Sequence, residues 1–235
     1  MTIKVITFDL DDTLWAVEPA LRRAEAKQNE WLRSHRPQTL RLDDDALRAL
    51  RIRVWRDSEP IAHNVSALRK RFLRAVQREA GYSAELADAG AEGAFQAFLQ
   101  ERQRVDLFAG IVEMLEALSP RYRLGALTNG NADVYKTDAG RFFDFAFLAE
   151  DIGASKPAPE MFHAALEHTG ASPEETLHVG DSPDHDVRGA KAVGMRTVWV
   201  NAQGNPWEGD DHPDAQTRHV CDLPAILRRF ETVGA

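Results

Sequence analysis

Cysteine is almost absent from this chain: Cys221 stands alone among 235 residues. No internal disulfide can form, and no cluster of thiolates can hold a metal. No apolar stretch approaches the roughly 20 residues that span a bilayer, so a membrane is not an expected partner. The first apolar run begins almost at Met1, which leaves no room for a secretory signal. A reducing, cytoplasmic setting is therefore expected. Basic residues are in deficit, with 29 Lys+Arg against 37 Asp+Glu and a formal net charge of −8, so nucleic acid is not an expected partner either. The eight histidines show no clustered spacing of the kind zinc requires. What the chain does have is 43% hydrophobic residues, enough to bury a core.

Glycine is scarce in one region only. Residues 16–106 contain just Gly81, Gly90 and Gly93 of the 15 glycines. The same region holds 17 basic against 14 acidic residues, a net of +3, while the remainder holds 12 against 23, a net of −11. These shifts mark one module inserted into another: a core of residues 1–15 and 107–235, and a helical cap of residues 16–106. Within the cap, helices are expected at about 18–34, 43–56, 65–80 and 84–103, making a small bundle. The outer portions alternate strand and helix. Strands are expected over Ile3 to Phe8, Leu124 to Leu127, Phe145 to Ala149, Thr176 to Val179 and Arg196 to Val200. Helices are expected at Ile111 to Leu118, Pro159 to His168, about Asp184 to Val193, and Asp222 to Phe230. Residues 201–219 read as a loop. The βα alternation predicts an α/β fold with a parallel, doubly wound, Rossmann-like sheet.

The polar residues cluster where such a sheet binds ligands, at the carboxyl ends of its strands. Asp9-Leu10-Asp11-Asp12-Thr13 follows the first strand. On an extended segment Asp9 and Asp11 leave on the same side, and two crowded acids need a cation or a proton to relieve their repulsion. The plainer reading is a turn in which Asp11, Asp12 and Thr13 cap the next helix. Thr128-Asn129-Gly130 follows the second strand; its hydroxyl and backbone N–H groups can cradle phosphate oxygens, or can simply make an Asn-Gly turn. Lys156 precedes Pro157 and Pro159, which hold it in a defined direction. Gly180-Asp181 follows a buried strand, and Asp181 and Asp186 suit hard oxygen coordination, as of Mg²⁺. Asp184 reads as a helix cap.

Taken in order, these motifs resemble the haloacid dehalogenase-like (HAD) hydrolase superfamily, in its phosphatase branch. The matching residues are Asp9 to Thr13, Thr128-Asn129, Lys156-Pro157, and Gly180-Asp181 with Asp186, and the insertion resembles the helical cap of one large subgroup. A nearer likeness is to bacterial phosphatases of flavin metabolism, which act on phosphoribitylamino-uracil and FMN. It rests on Phe8 to Leu14, Glu59-Pro60 with His63 and Val65, Leu127 to Ala132 and Leu177 to Asp181. The resemblance implies a nucleophilic Asp9, an acid–base Asp11, and an orienting Thr13. It implies phosphate stabilisation by Thr128, Asn129 and Lys156, and Mg²⁺ held by Asp9, the Asp11 backbone carbonyl and Asp181, with Asp186 acting through water or by orienting Lys156. Asp12 stands outside this chemistry. His185 sits where many relatives carry asparagine, and Ala109 where proline is frequent.

The substrate implied is a small phosphorylated metabolite, selected in the cap by Glu59, His63 and Asn64. Trp31 and Trp55 read as bundle core, and Arg69-Lys70-Arg71 as a solvated face. A dehalogenase, a phosphosugar mutase and a non-catalytic binding protein are the competing readings. The chain is expected to act as a monomer or homodimer.

Overall fold

A computed structural model, which describes residues 2–232, contains six parallel strands in one sheet, ordered β3-β2-β1-β4-β5-β6. The strands are β1 (Val5–Phe8), β2 (Arg123–Thr128), β3 (Phe145–Leu148), β4 (Thr176–Gly180), β5 (Arg196–Val200) and β6 (Ala215–Thr217). Every residue of β1 and β4 is buried. Helices cover both faces of a parallel sheet, so its central strands read as continuous apolar runs rather than alternating ones. On one face Phe8, Leu115, Leu124 and Val198 share a core with Ile226 and Leu227. On the other, Val5, Leu127 and Phe145 pack with Met161, Phe162 and Ala190.

The chain divides into two units, one running to Val17 and resuming at Val105, the other Glu18–Arg104. The second unit consists of α1 (Val17–His35), α2 (Asp44–Arg56), α3 (Val65–Glu79) and α4 (Ala84–Arg102). Local chemistry sets their starts. Asp43, Asn64 and Ser83 each accept a hydrogen bond from the backbone N–H three residues on, which satisfies one of the orphan donors of the first turn. Ala24, Leu73, Ala91, Phe95 and Phe98 form the bundle core. Trp31 lies directly over Gly93, where any side chain would collide with the indole. Trp55 departs from the expected core position: it is 45% exposed, with its edge on Phe72. Arg69 departs in the other direction. Its guanidinium lies 3.7 Å from the Phe98 ring centroid and burial lowers its pKa, so it belongs to the bundle interior, not to a solvated face.

The first unit adds α5 (Ile111–Leu118), α6 (Ala149–Ile152), α7 (Glu160–Thr169), α8 (Gly189–Ala192) and α9 (Leu223–Thr232). Three expectations change here. The segment read as a loop after Asn201 contains β6, a three-residue edge strand paired with β5. The helix expected from Asp184 opens as a wide π-helical turn, Pro183–Arg188, before α8. Its cap is Ser182, whose hydroxyl accepts from the His185 N–H at 3.1 Å, while Asp184 pairs with Arg188 instead. Among the described residues, no helix is long and apolar enough to cross a membrane.

Candidate active site

The strand order reverses between β1 and β4, and open α/β sheets bind ligands beyond the carboxyl ends of strands at such a switch. A cavity of about 320 Å³ is found there, lined by residues that follow β1, β2 and β4 together with Lys156. Asp9 leaves β1 with its N–H still bonded to the Val179 carbonyl at 2.9 Å, so the last rung of the sheet fixes its backbone. The chain then turns. Asp12 takes a left-handed conformation (φ 59°), which aspartate tolerates better than most residues, and its Oδ1 accepts from the Val17 N–H at 3.0 Å. Asp12 makes the turn and the cap, while Asp9 and Asp11 line the cavity.

Lys156 organises the centre. Its side chain is buried, and its ammonium donates to Asp9 Oδ1 (2.7 Å), Asp186 Oδ1 (2.6 Å) and the Leu127 carbonyl (2.7 Å). Asn129 fixes the lysine backbone from both sides: its Oδ1 accepts from the Lys156 N–H at 2.8 Å and its Nδ2 donates to the Lys156 carbonyl at 2.9 Å. Asn129 lines the cavity as well. The Thr128 hydroxyl oxygen accepts from the Gly130 N–H at 3.0 Å, which leaves its proton available to the cavity.

Asp186 accepts from three donors, adding His178 Nε2 at 3.1 Å and the Ser182 N–H at 2.9 Å to the lysine. It reaches this position because residue 180 is glycine; a methyl group there would overlap its carboxylate. Thr13 donates long bonds to Asp9 Oδ2 (3.5 Å) and Asp181 Oδ1 (3.3 Å). The carboxylates of Asp9, Asp181 and Asp186 offer oxygens within 4.8 Å of one another. Asp11 lines the same cavity outside that trio, with its Oδ1 held by Trp15 Nε1 at 2.7 Å. His63 lies in the turn before α3 of the helical unit, and Asn64 is the cap of that helix.

The electrostatics follow from crowding. Burial pushes the Asp9 carboxyl well above the usual carboxylate range, against the pull of Lys156. Burial, with the charges of Asp186 and Asp12, raises Asp181 to about 6. Burial would also raise Asp186, but Lys156 and His178 overcome it and hold that carboxyl low. Burial likewise opposes the charge on Lys156, yet Asp186 and Asp9 raise its pKa. Burial lowers the pKa of His178, against the pull of Asp186. Three acids thus face one ammonium. That surplus of negative charge, on hard oxygen donors, fits a divalent cation.

Three contributors escaped sequence reasoning. His178 accepts at Nδ1 from the Thr7 hydroxyl (2.8 Å), which aims its Nε2–H at Asp186. A histidine inside an otherwise apolar strand was the available signal. Trp15 steadies Asp11, and Trp199 Nε1 donates to the Asp181 carbonyl at 2.8 Å. Nothing in the local sequence marks either indole.

A parallel α/β sheet with an acidic centre at its switch point, and a helical insertion after β1, defines a class of hydrolases. The haloacid dehalogenase-like hydrolase family model matches residues 3–194, and the chain belongs to that family. It is 33% identical over 230 residues to the 5-amino-6-(5-phospho-D-ribitylamino)uracil phosphatase YigB of Escherichia coli strain K12, covering 96% of each chain. It is 32% identical over 251 residues to a phosphoserine phosphatase of Thermus thermophilus, covering 96% of this chain and 98% of the other. Among solved structures, one named 2-haloacid dehalogenase from Pseudomonas syringae pv. Tomato DC3000 superposes with a TM-score of 0.92 at 39% identity, over 97% of this chain and all of that one.

Proposed function

We propose that the protein is a Mg²⁺-dependent phosphomonoester hydrolase acting on a small phosphorylated metabolite, with phosphoribitylamino-uracil or FMN as the leading candidates. The observation that carries this reading is the trio Asp9, Asp181 and Asp186 gathered around one buried ammonium. Asp9 and Asp181 would hold the metal with the Asp11 backbone carbonyl. The carboxylate of Asp186 is occupied by three donors and serves to fix Lys156. When bound, the cation would neutralise charge on the transferring phosphoryl group.

The chain's own residues do the remainder. An oxygen of Asp9 attacks phosphorus, and the P–O bond to the substrate alcohol breaks. Asp11 gives its proton to the departing oxygen, leaving an aspartyl-phosphate. Asp11 then takes a proton from water, which attacks phosphorus and frees Asp9 and phosphate. The indole N–H of Trp15 fixes the Asp11 carboxylate throughout. Lys156 and the Thr128 hydroxyl meet the charge on the equatorial oxygens.

A second reading is favoured by the neighbour named 2-haloacid dehalogenase. There Asp9 would attack carbon and expel halide. That chemistry asks for neither a second carboxylate in the cavity nor a cation, and this chain presents Asp11 and the acidic trio. Phosphate and halide release separate the two. The panel is FMN, the ribitylamino-uracil phosphate, phosphoserine, phosphosugars and L-2-chloropropionate, each with Mg²⁺ and with chelator. Mg²⁺-dependent phosphate release that disappears in Asp9→Asn is expected. Halide release unaffected by chelator would overturn the phosphatase reading, and indifference to the flavin-pathway compounds would overturn the narrower substrate.

A further inference from the structure

We infer that the helical unit carries a binding site of its own for an organic carboxylate with an apolar body. Such a site is independent of the chemistry proposed at Asp9. α2 packs on α3, and the space bounded by α1, α2, α3 and the 3-10 turn at Pro37–Arg41 is a cavity of about 330 Å³. That volume falls in the range of small-molecule sites, which are largely apolar with a few convergent polar groups. Leu47, Phe72 and Leu73 supply the apolar wall.

Two observations distinguish it from a packing gap. The first is Gln28, 94% of whose surface is removed from solvent and which lines the cavity. Its Oε1 accepts from Arg69 at 3.2 Å, but its Nε2 donates to no group among the described residues. That nitrogen is left facing the cavity as an open donor. The second is the surplus of positive charge. Three arginines line the cavity against one carboxylate, Glu25, which is already engaged by Arg69. Arg51 has its guanidinium 5.2 Å from the Phe72 ring centroid and forms no ion pair among the described residues. Its charge also opposes that of Arg69. A carboxylate placed between Arg51 and the Gln28 amide would satisfy both and relieve the repulsion. The apolar body would then lie along Phe72 and Leu73. A phosphate would be a poorer fit, because the wall of Leu47, Phe72 and Leu73 offers its oxygens no donors.

Isothermal titration of the full-length protein tests this, with 4-phenylbutyrate as the probe and 4-phenylbutanol as its neutral counterpart. The acid is expected to bind at least tenfold more tightly than the alcohol. Arg51→Ala, a change at an exposed side chain, should remove that preference and leave the affinity for the alcohol unchanged. Leu47→Trp, which fills the cavity, should abolish binding of both. Absence of binding by the acid, equal affinity for acid and alcohol, or undiminished binding in Leu47→Trp that retains wild-type helicity would each overturn the inference.

Discussion

Asp181→Asn should stabilise the metal-free protein. In the absence of a cation, Asp181 carries a charge the site resists: burial, Asp186 and Asp12 lift its pKa from 3.8 to about 6. An acid whose pKa is raised on folding binds more protons in the native state than in the unfolded state between those two values. Stability is therefore lost as pH rises through that window, and the full penalty is present above it. A rise of this size corresponds to about 3 kcal/mol. Asparagine removes the charge while its Oδ1 can still accept from Thr13. For a unit of this size the gain amounts to about 6–12 °C in Tm. Scanning calorimetry in chelator should show this increase at pH 8 and little of it at pH 4, where the native carboxyl is already protonated. Added Mg²⁺ should then raise the Tm of the wild type but leave the variant unmoved, because the cation relieves the same repulsion. A lower Tm for the variant at pH 8, or a gain equal at both pH values, would refute the reasoning that the cluster is under charge strain.

Three further outcomes follow from the same geometry. Gly180→Ala forces a methyl into the Asp186 carboxylate; a loss of about 1–3 kcal/mol by chemical denaturation is expected, with a fall in kcat, and unchanged kcat would count against Asp186 as the anchor of Lys156. Trp199→Phe takes the indole donor from the Asp181 carbonyl; the Mg²⁺ concentration for half-maximal activity should rise several-fold while kcat at saturating Mg²⁺ stays within about twofold of wild type, roughly the effect of one neutral hydrogen bond. The net charge of +3 on residues 16–106 should draw in an anionic substrate, so kcat/KM should fall as ionic strength rises from about 20 to 500 mM, and a flat profile would exclude such steering.

Periodicity made most of the elements legible. Three helices of the insertion start at polar caps, α3 stops just before Gly81, and β1 and β4 are buried because both their faces are covered. The residues singled out at the strand ends, Asp9, Asp11, Thr128, Asn129, Lys156, Asp181 and Asp186, do line one cavity. What escaped depends on contacts distant in sequence. Ala215–Thr217 has no strand composition, and it pairs only because β5 offers an open edge. Arg69 looked solvated beside two other basic residues, yet Glu25, Gln28 and Phe98 make its burial tolerable. His178 stands out in the sequence as a histidine within a buried strand, but its partner Asp186, eight residues on, emerges only when the chain turns back.

The register of β1 has a consequence for how the chain reaches this state. Val5 pairs with Arg123 on one side and with Thr176 on the other. This wholly buried strand must therefore wait for partners more than a hundred residues later. Such non-local pairing slows folding, because loop closure precedes its reward. On the ribosome, the helical insertion emerges whole before either neighbour of β1 exists. It can build its local contacts first, while an apolar N-terminal segment remains unpaired and open to chaperones. Translation speed across residues 105–180 then governs how long that segment stays exposed.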